Sequence, residues 1–157
     1  MPKTIDCVIC GSCVVDVLVR PVDLDHAIGA DRLVRTEPLR LTTGGIVSNS
    51  GIAMARLGMK AAAYSLVGDD PWAEVIRSHY VSEGLSAEHL EVRPDLATST
   101  TAVLIAESGQ RSFLHAVGAP KAIDKRFFLD KLSLFDASRV LLLGYYPLLP
   151  NLIDDLP

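Results

Sequence analysis

The chain has no surplus of positive charge. Among its 157 residues, 15 Lys and Arg stand against 19 Asp and Glu, a formal net charge of −4. Nucleic acid and anionic membrane surfaces are polyanions and gain nothing from such a surface, so neither is an expected partner. No apolar run approaches the ~20 residues that a helix needs to cross a bilayer. Met1–Asp6 carries no apolar leader core before the first predicted strand, so the expected compartment is the cytoplasm. There is no internal repeat and no low-complexity segment. The first strand is not followed by Gly-x-Gly-x-x-Gly. Gly11-Ser12-Cys13-Val14-Val15-Asp16 stands there instead, which argues against a dinucleotide-binding turn. Cysteine is scarce but clustered, at Cys7, Cys10 and Cys13. That spacing would suit a metal or iron–sulfur cluster, yet a fourth ligand is missing. Cys7 and Cys10 also fall in a predicted strand, where they point to opposite faces. Buried, reduced thiols are the expectation.

What is present describes a globular protein. Apolar residues make up 49% and charged residues 22% of the chain, enough for one domain with a real core. The most informative run is Thr42 to Gly58. It opens with two Thr and the pair Gly44-Gly45, continues through a small, Ala-rich helix, and stops at Leu57-Gly58. A glycine pair lets backbone approach a ligand closely. The first amides of a helix lack partners and carry partial positive charge. Asn49, about one turn in, is expected to lean back over the pair with a donor and an acceptor. Such a set suits a polyhydroxyl ligand better than a metal. A glycine turn closed for packing alone is the simpler alternative.

Ile5 to Gly11 reads as a buried central strand. Asp16 then interrupts an apolar stretch from Ser12 to Val19. A buried carboxylate is costly unless hydrogen-bonded, so Asp16 is either a solvent-facing edge residue or an acceptor for ligand hydroxyls. Arg20 to Leu41 is irregular and long enough to be a flap, with short strands expected near Arg32–Thr36 and Leu39–Thr42. Ala61–Val67 reads as a strand. Asp70 and Pro71 open a helix that Gly84 ends, and capping explains Asp70 more simply than a metal at Asp69 and Asp70. Thr98–Ala106 and Arg111–Val117 form a predicted hairpin around Gly109, with Val103 and Ile105 on one face. A short helix is expected over Asp124–Lys131, a buried strand over Arg139–Gly144, and a helix beginning at Asn151. Strands alternating with helices imply a layered α/β sheet. The flap and hairpin are expected to form a separate small sheet over a cleft.

Taken together, these residues resemble the ribokinase-like, or PfkB, family of carbohydrate and nucleoside kinases. The likeness is strongest over Gly44-Gly45-Ile46-Val47-Ser48-Asn49 and on through Leu57-Gly58. Gly11-Ser12 with Asp16, Val67-Gly68-Asp69-Asp70, the Gly109-Gln110-Arg111 hairpin and Leu143-Gly144 follow in the family's order. The resemblance implies a doubly wound, mostly parallel α/β sheet with a small β lid that pairs with a second subunit in many members. It implies that residues 1–157 are the N-terminal part of such a domain, with lid segments at about 17–43 and 97–118. It also implies that Asp16 accepts hydrogen bonds from sugar hydroxyls. Gly44 and Gly45 would contact the sugar through backbone and Asn49 through its amide, and Val103 and Ile105 would line the lid. Two departures stand out. Ribokinase carries Asn two residues before the equivalent of Asp16, where Val14 stands here, so a ribose assignment is disfavoured. The hairpin ends Gly118-Ala119-Pro120 where Gly-Ala-Asn is usual, and Pro offers neither N–H nor amide.

In this family a Gly-Ala-Gly-Asp run in the C-terminal half supplies the general base and the anion hole, beside the ATP pocket and an Asn/Glu motif near Mg²⁺. No Gly-x-Gly-Asp occurs in this chain. The implied function is the substrate-binding half of a kinase that moves the γ-phosphoryl of ATP to a sugar or nucleoside hydroxyl. Catalytic, ATP and Mg²⁺ groups are expected to lie elsewhere. The alternative is a non-catalytic sugar-binding or dimerisation module derived from such a kinase.

Overall fold

The computed structural model describes residues 3–26, 31 and 33–155. Its centre is a four-stranded sheet in the order β5-β4-β1-β8, made of β1 (Ile5–Gly11), β4 (Ala61–Gly68), β5 (Ser86–Arg93) and β8 (Ser138–Gly144). All three pairings are parallel. A second sheet, in the order β3-β2-β6-β7, joins β2 (Val14–Val19), β3 (Arg40–Gly44), β6 (Thr100–Ile105) and β7 (Arg111–Ala116). There β2 and β6 run parallel and the other two pairings are antiparallel.

The sequence pattern explains this division. β1 and β4 are nearly continuous apolar runs because both faces of the central sheet are covered. On one face Cys7 and Ile9 pack with Val47 and Ile52 of α1 (Gly45–Arg56) and with Ile76 and Tyr80 of α2 (Pro71–Ser82). On the other face Val8, Cys10 and Tyr64 pack with Phe127 of α3 (Lys125–Leu129) and Leu134 of α4 (Leu132–Asp136). Tyr64 stacks on Phe127 with ring centroids 4.1 Å apart, and its hydroxyl donates to the Phe127 carbonyl. Helices on both faces make the domain doubly wound. The cysteines follow the same logic. Cys7 and Cys10 lie on opposite faces and all three thiols are free and buried. Desolvation pushes the Cys13 thiol up to about 11 and Cys10 higher still, so both stay protonated.

Asp70 caps α2 as expected, accepting from the Ala73 amide at 3.0 Å, with Pro71 as the first helical residue. The hairpin falls where predicted. Four regions differ from the sequence reading. β5 was not foreseen: in Ser-Ala-Glu-His-Leu-Glu-Val-Arg only Ala87 and Leu90 are buried, because this is an edge strand. In the flap, the expected start at Arg32 lies outside the described residues and Leu33–Thr36 is not strand, whereas Arg40–Gly44 is. The short helix expected over Asp124–Lys131 is α3, capped by Asp124, and a second short helix, α4, follows it unforeseen. Beyond β8 the chain forms 3-10 turns at Tyr146–Leu148 and Pro150–Asp155 rather than an α-helix capped by Asn151, and Pro157 lies outside the described residues.

Candidate functional site

Parallel strands end together, and their carboxyl ends open a crevice where ligands bind in sheets of this kind. Here β1 and β8 end in Gly11-Ser12 and Gly144-Tyr145. The two glycines sit close enough that a Cβ on Gly11 would meet the Gly144 carbonyl oxygen at 2.6 Å, and one on Gly144 would meet Ile46 at 2.5 Å. The start of α1 is thereby pressed against both strand ends. Gly45 takes φ +80°, and any side chain there would run into the Ser12 carbonyl. The Val47 amide donates to that same carbonyl at 3.2 Å, so this first-turn donor is used within the fold.

The second sheet stands over these strand ends and encloses a cavity of about 530 Å³. Its polar lining comes from Ser12, Asp16, Ser99, Thr101, His115 and Lys121. Its apolar lining includes Val14, Phe113, Val117, Pro120 and Leu148, and Tyr145 stands at the mouth of β8. Tyr145 adopts a left-handed backbone conformation, with φ 55°, which is uncommon for a bulky residue and recurs at functional sites. A mostly apolar wall with a few convergent polar groups is the usual make-up of a small-molecule site.

Asp16 is half-buried. Desolvation raises its carboxyl above the ordinary range, opposed by a hydrogen bond from Thr101 and by the nearby charge of His115. Asp16 lies opposite Thr42 of β3 and opposite Thr101 of β6, and Thr101 lies opposite His115 of β7. Four polar residues therefore form one row across the lid. The Thr101 hydroxyl is 2.9 Å from His115 Nδ1.

The residues singled out in the sequence are distributed unevenly. Asp16 and Gly45 line the cavity. Gly44 sits directly behind Asp16, and a methyl group there would collide with the carboxylate. Asn49 is exposed on α1 and is not among the lining residues. Val103 is buried and Ile105 half-buried in β6, two and four residues beyond Thr101, and neither lines the cavity. Pro120 contributes an apolar wall where an amide was missing. Sequence reasoning did not reach Thr101, His115, Lys121 or Tyr145. Thr101 and His115 were legible only as hairpin residues, and their cavity face becomes apparent once the register places them beside Asp16. Ser48 was also missed: its hydroxyl donates to the Gly44 carbonyl at 2.6 Å and meets the Tyr80 hydroxyl at 2.7 Å, which ties the glycine pair to α2.

The structure is similar to that of a ribokinase from Giardia lamblia, with a TM-score of 0.71 at 20% identity over 89% of this chain and 42% of that one. At that identity the likeness concerns the fold alone. In sequence, the chain is 39% identical to a fructokinase of Vibrio alginolyticus over 74 residues, 47% of this chain and 24% of that protein. It is 29% identical to a ribokinase of Bacillus subtilis over 126 residues, 80% of this chain and 41% of that protein. The matched region is thus less than half the length of each relative. The sequence profile described as "pfkB family carbohydrate kinase" matches residues 4–153, almost the whole chain. With a doubly wound sheet, a β lid over its strand ends and a half-buried aspartate between them, the chain belongs to the pfkB family of carbohydrate kinases.

Proposed function

We propose that this chain supplies the substrate-binding part of an ATP-dependent kinase that phosphorylates a hydroxyl of a sugar or nucleoside. The observation that supports this reading most directly is the placement of Asp16. A half-buried carboxylate facing an otherwise largely apolar cavity is costly without a donor to receive, and a ligand hydroxyl is such a donor. Gly45 and Gly44 leave room for that ligand to approach backbone. Asn49, Val103 and Ile105 are carried in this proposal as secondary contacts, Asn49 from its position one turn into α1 and the other two from the lid strand beside Asp16.

Phosphoryl transfer is achieved mainly by positioning and by electrostatic stabilisation of the moving group. Kinases of this family use ATP, and in the proposed reaction Mg²⁺ accompanies it. Among the described residues no group of three or more His, Cys, Asp or Glu is arranged to hold a metal ion. The role of this chain is to bind and orient the acceptor hydroxyl and to exclude water around it. The need for ATP makes the cytoplasm the proposed compartment. The proposal extends to a homodimer formed through the lid, supported by the exposed Leu41 and Leu114, which by strand alternation lie on the sheet face away from Asp16.

The test is calorimetric titration of ribose, fructose and common nucleosides into the wild-type chain and the Asp16→Ala variant. Hydrogen bonds to a charged group contribute ~1.5–3 kcal/mol, so the variant is expected to bind roughly 10- to 100-fold more weakly. Equal affinity for every ligand that binds would remove Asp16 from the site.

A further inference from the structure

Of the hydroxyls that line the cavity, one is buried with its proton unspent. Thr101 Oγ1 meets His115 Nδ1 at 2.9 Å, and Ser12 is half-buried, within reach of water. Ser99 is only 4% exposed. Its Oγ accepts from the Gly118 amide at 2.9 Å. A serine hydroxyl also has one proton to give, and among the described residues no acceptor takes it. A buried donor without a partner carries a desolvation cost. The backbone around Ser99 is fixed from two sides. Its carbonyl accepts from the Val15 amide at 3.0 Å, which ties it to β2. Gly118 presses from the other side, where a Cβ would collide with the Ser99 backbone nitrogen. Strand alternation, carried back one residue from β6, puts Ser99 on the face of Thr101, which lies opposite Asp16. Ser99, Thr101 and Asp16 all line the cavity.

We propose that Ser99 is a specificity-determining residue: the Gly118 amide holds its oxygen in place, and its hydroxyl donates to an acceptor oxygen of the ligand. Asp16 and Ser99 then make opposite demands. An ionised carboxylate only accepts, so Asp16 receives a ligand O–H, whereas Ser99 needs a ligand lone pair. Two residues along a strand span about 6.6 Å, so the Ser99 contact falls one step along the sheet from the Asp16 row, on a different ligand atom. A ligand with a methylene in place of that oxygen leaves the Ser99 proton unspent and is disfavoured. The inference rests on the sugar- or nucleoside-kinase reading for the identity of the ligand.

A cycle of protein and ligand variants in the full chain tests this. The probes are whichever of ribose, fructose and the common nucleosides binds most tightly, its deoxy analogues, and the carbocyclic analogue that lacks the ring oxygen. Ser99→Ala is expected to weaken the parent ligand roughly three- to tenfold. For one analogue, the one that lacks the contacted oxygen, wild type and Ser99→Ala are expected to bind equally. Ser99→Ala also takes the acceptor from the Gly118 amide, and faster hydrogen exchange at Gly118 reports that structural loss separately. Ser99→Cys keeps the shape with a weaker donor; it is expected to give the same pattern with a smaller loss, and it carries the cycle if Ser99→Ala does not fold. A purely structural serine would weaken the parent and every analogue by the same factor, and that result would overturn the proposal, as would undiminished binding of the parent. Failure of every sugar and nucleoside to bind the wild type would sink the kinase reading and this contact together, whereas binding without coupling to Ser99 sinks the contact alone.

Discussion

Asp16 is kept in a place that does not favour its charge. Its carboxyl is raised above the ordinary value, with desolvation outweighing the Thr101 hydrogen bond and the charge of His115. Between the unfolded and folded titration points the folded chain therefore holds more protons than the unfolded one. By linkage, stability falls as pH rises through that window and levels off above the folded value. Asp16→Asn removes the titrating group and is expected to remove this slope. At neutral pH the variant should be at least as stable as the wild type while binding ligand less well. Urea unfolding of both proteins between pH 3 and pH 7 checks this. Parallel curves would show that the desolvation of Asp16 has no energetic consequence. The sequence made Asp16 conspicuous because one acid interrupted an apolar run. It could not show His115, because a histidine in a hairpin carries no sign of which residue lies opposite it.

At the scale of elements, one side chain ties the start of α2 to the segment that leads into β6. Asp70 Oδ1 accepts from the Ala73 amide at 3.0 Å, and its Oδ2 accepts from the Thr98 amide at 2.8 Å, just before β6. The Thr98 hydroxyl in turn accepts from the Gly68 amide at 2.9 Å. Asp70→Ala thus removes a helix cap and leaves the Thr98 amide without its carboxylate partner. A cap alone is worth about 1 kcal/mol, and an orphaned, poorly hydrated donor adds about 1–3 kcal/mol. The expected loss of about 2–4 kcal/mol is measurable as a lower urea midpoint; a loss below about 0.5 kcal/mol would mean that the loop and helix are held by other contacts. Capping of this kind was readable from Asp70-Pro71 directly. β1, β4 and the hairpin were equally plain, since an unbroken apolar run and a Gly-centred turn have few alternatives. β5 was not legible, because an edge strand with only Ala87 and Leu90 buried has the composition of a loop. In the flap, the strand expected near Leu39–Thr42 is found as Arg40–Gly44, paired with β2, whereas Leu33–Thr36 is not strand.

At the scale of the whole molecule, the central sheet has an open side. β8 pairs only with β1 among the described strands, and Val140 and Leu141 are 57% and 41% exposed. An unpaired, apolar edge is a template for association. The chain studied by itself is therefore expected to self-associate as its concentration rises, and Leu141→Lys is expected to reduce that association. Sedimentation velocity across a concentration series measures it; a wild-type chain that stays monomeric throughout would show the edge to be harmless. The same fold places the cavity on the far side of this question, between the ends of β1 and β8 and the lid. In the proposed function, Asp16, the Gly44-Gly45 bend and the Thr101–His115 pair receive a hydroxylated small molecule. The most direct test is backbone amide NMR of the chain during titration with the tightest-binding sugar or nucleoside. The largest shifts are expected at Ser12, Asp16, Gly45, Thr101 and His115, which line the cavity. Shifts centred instead on Lys60, Glu88 and His89, which line the other cleft, would contradict it.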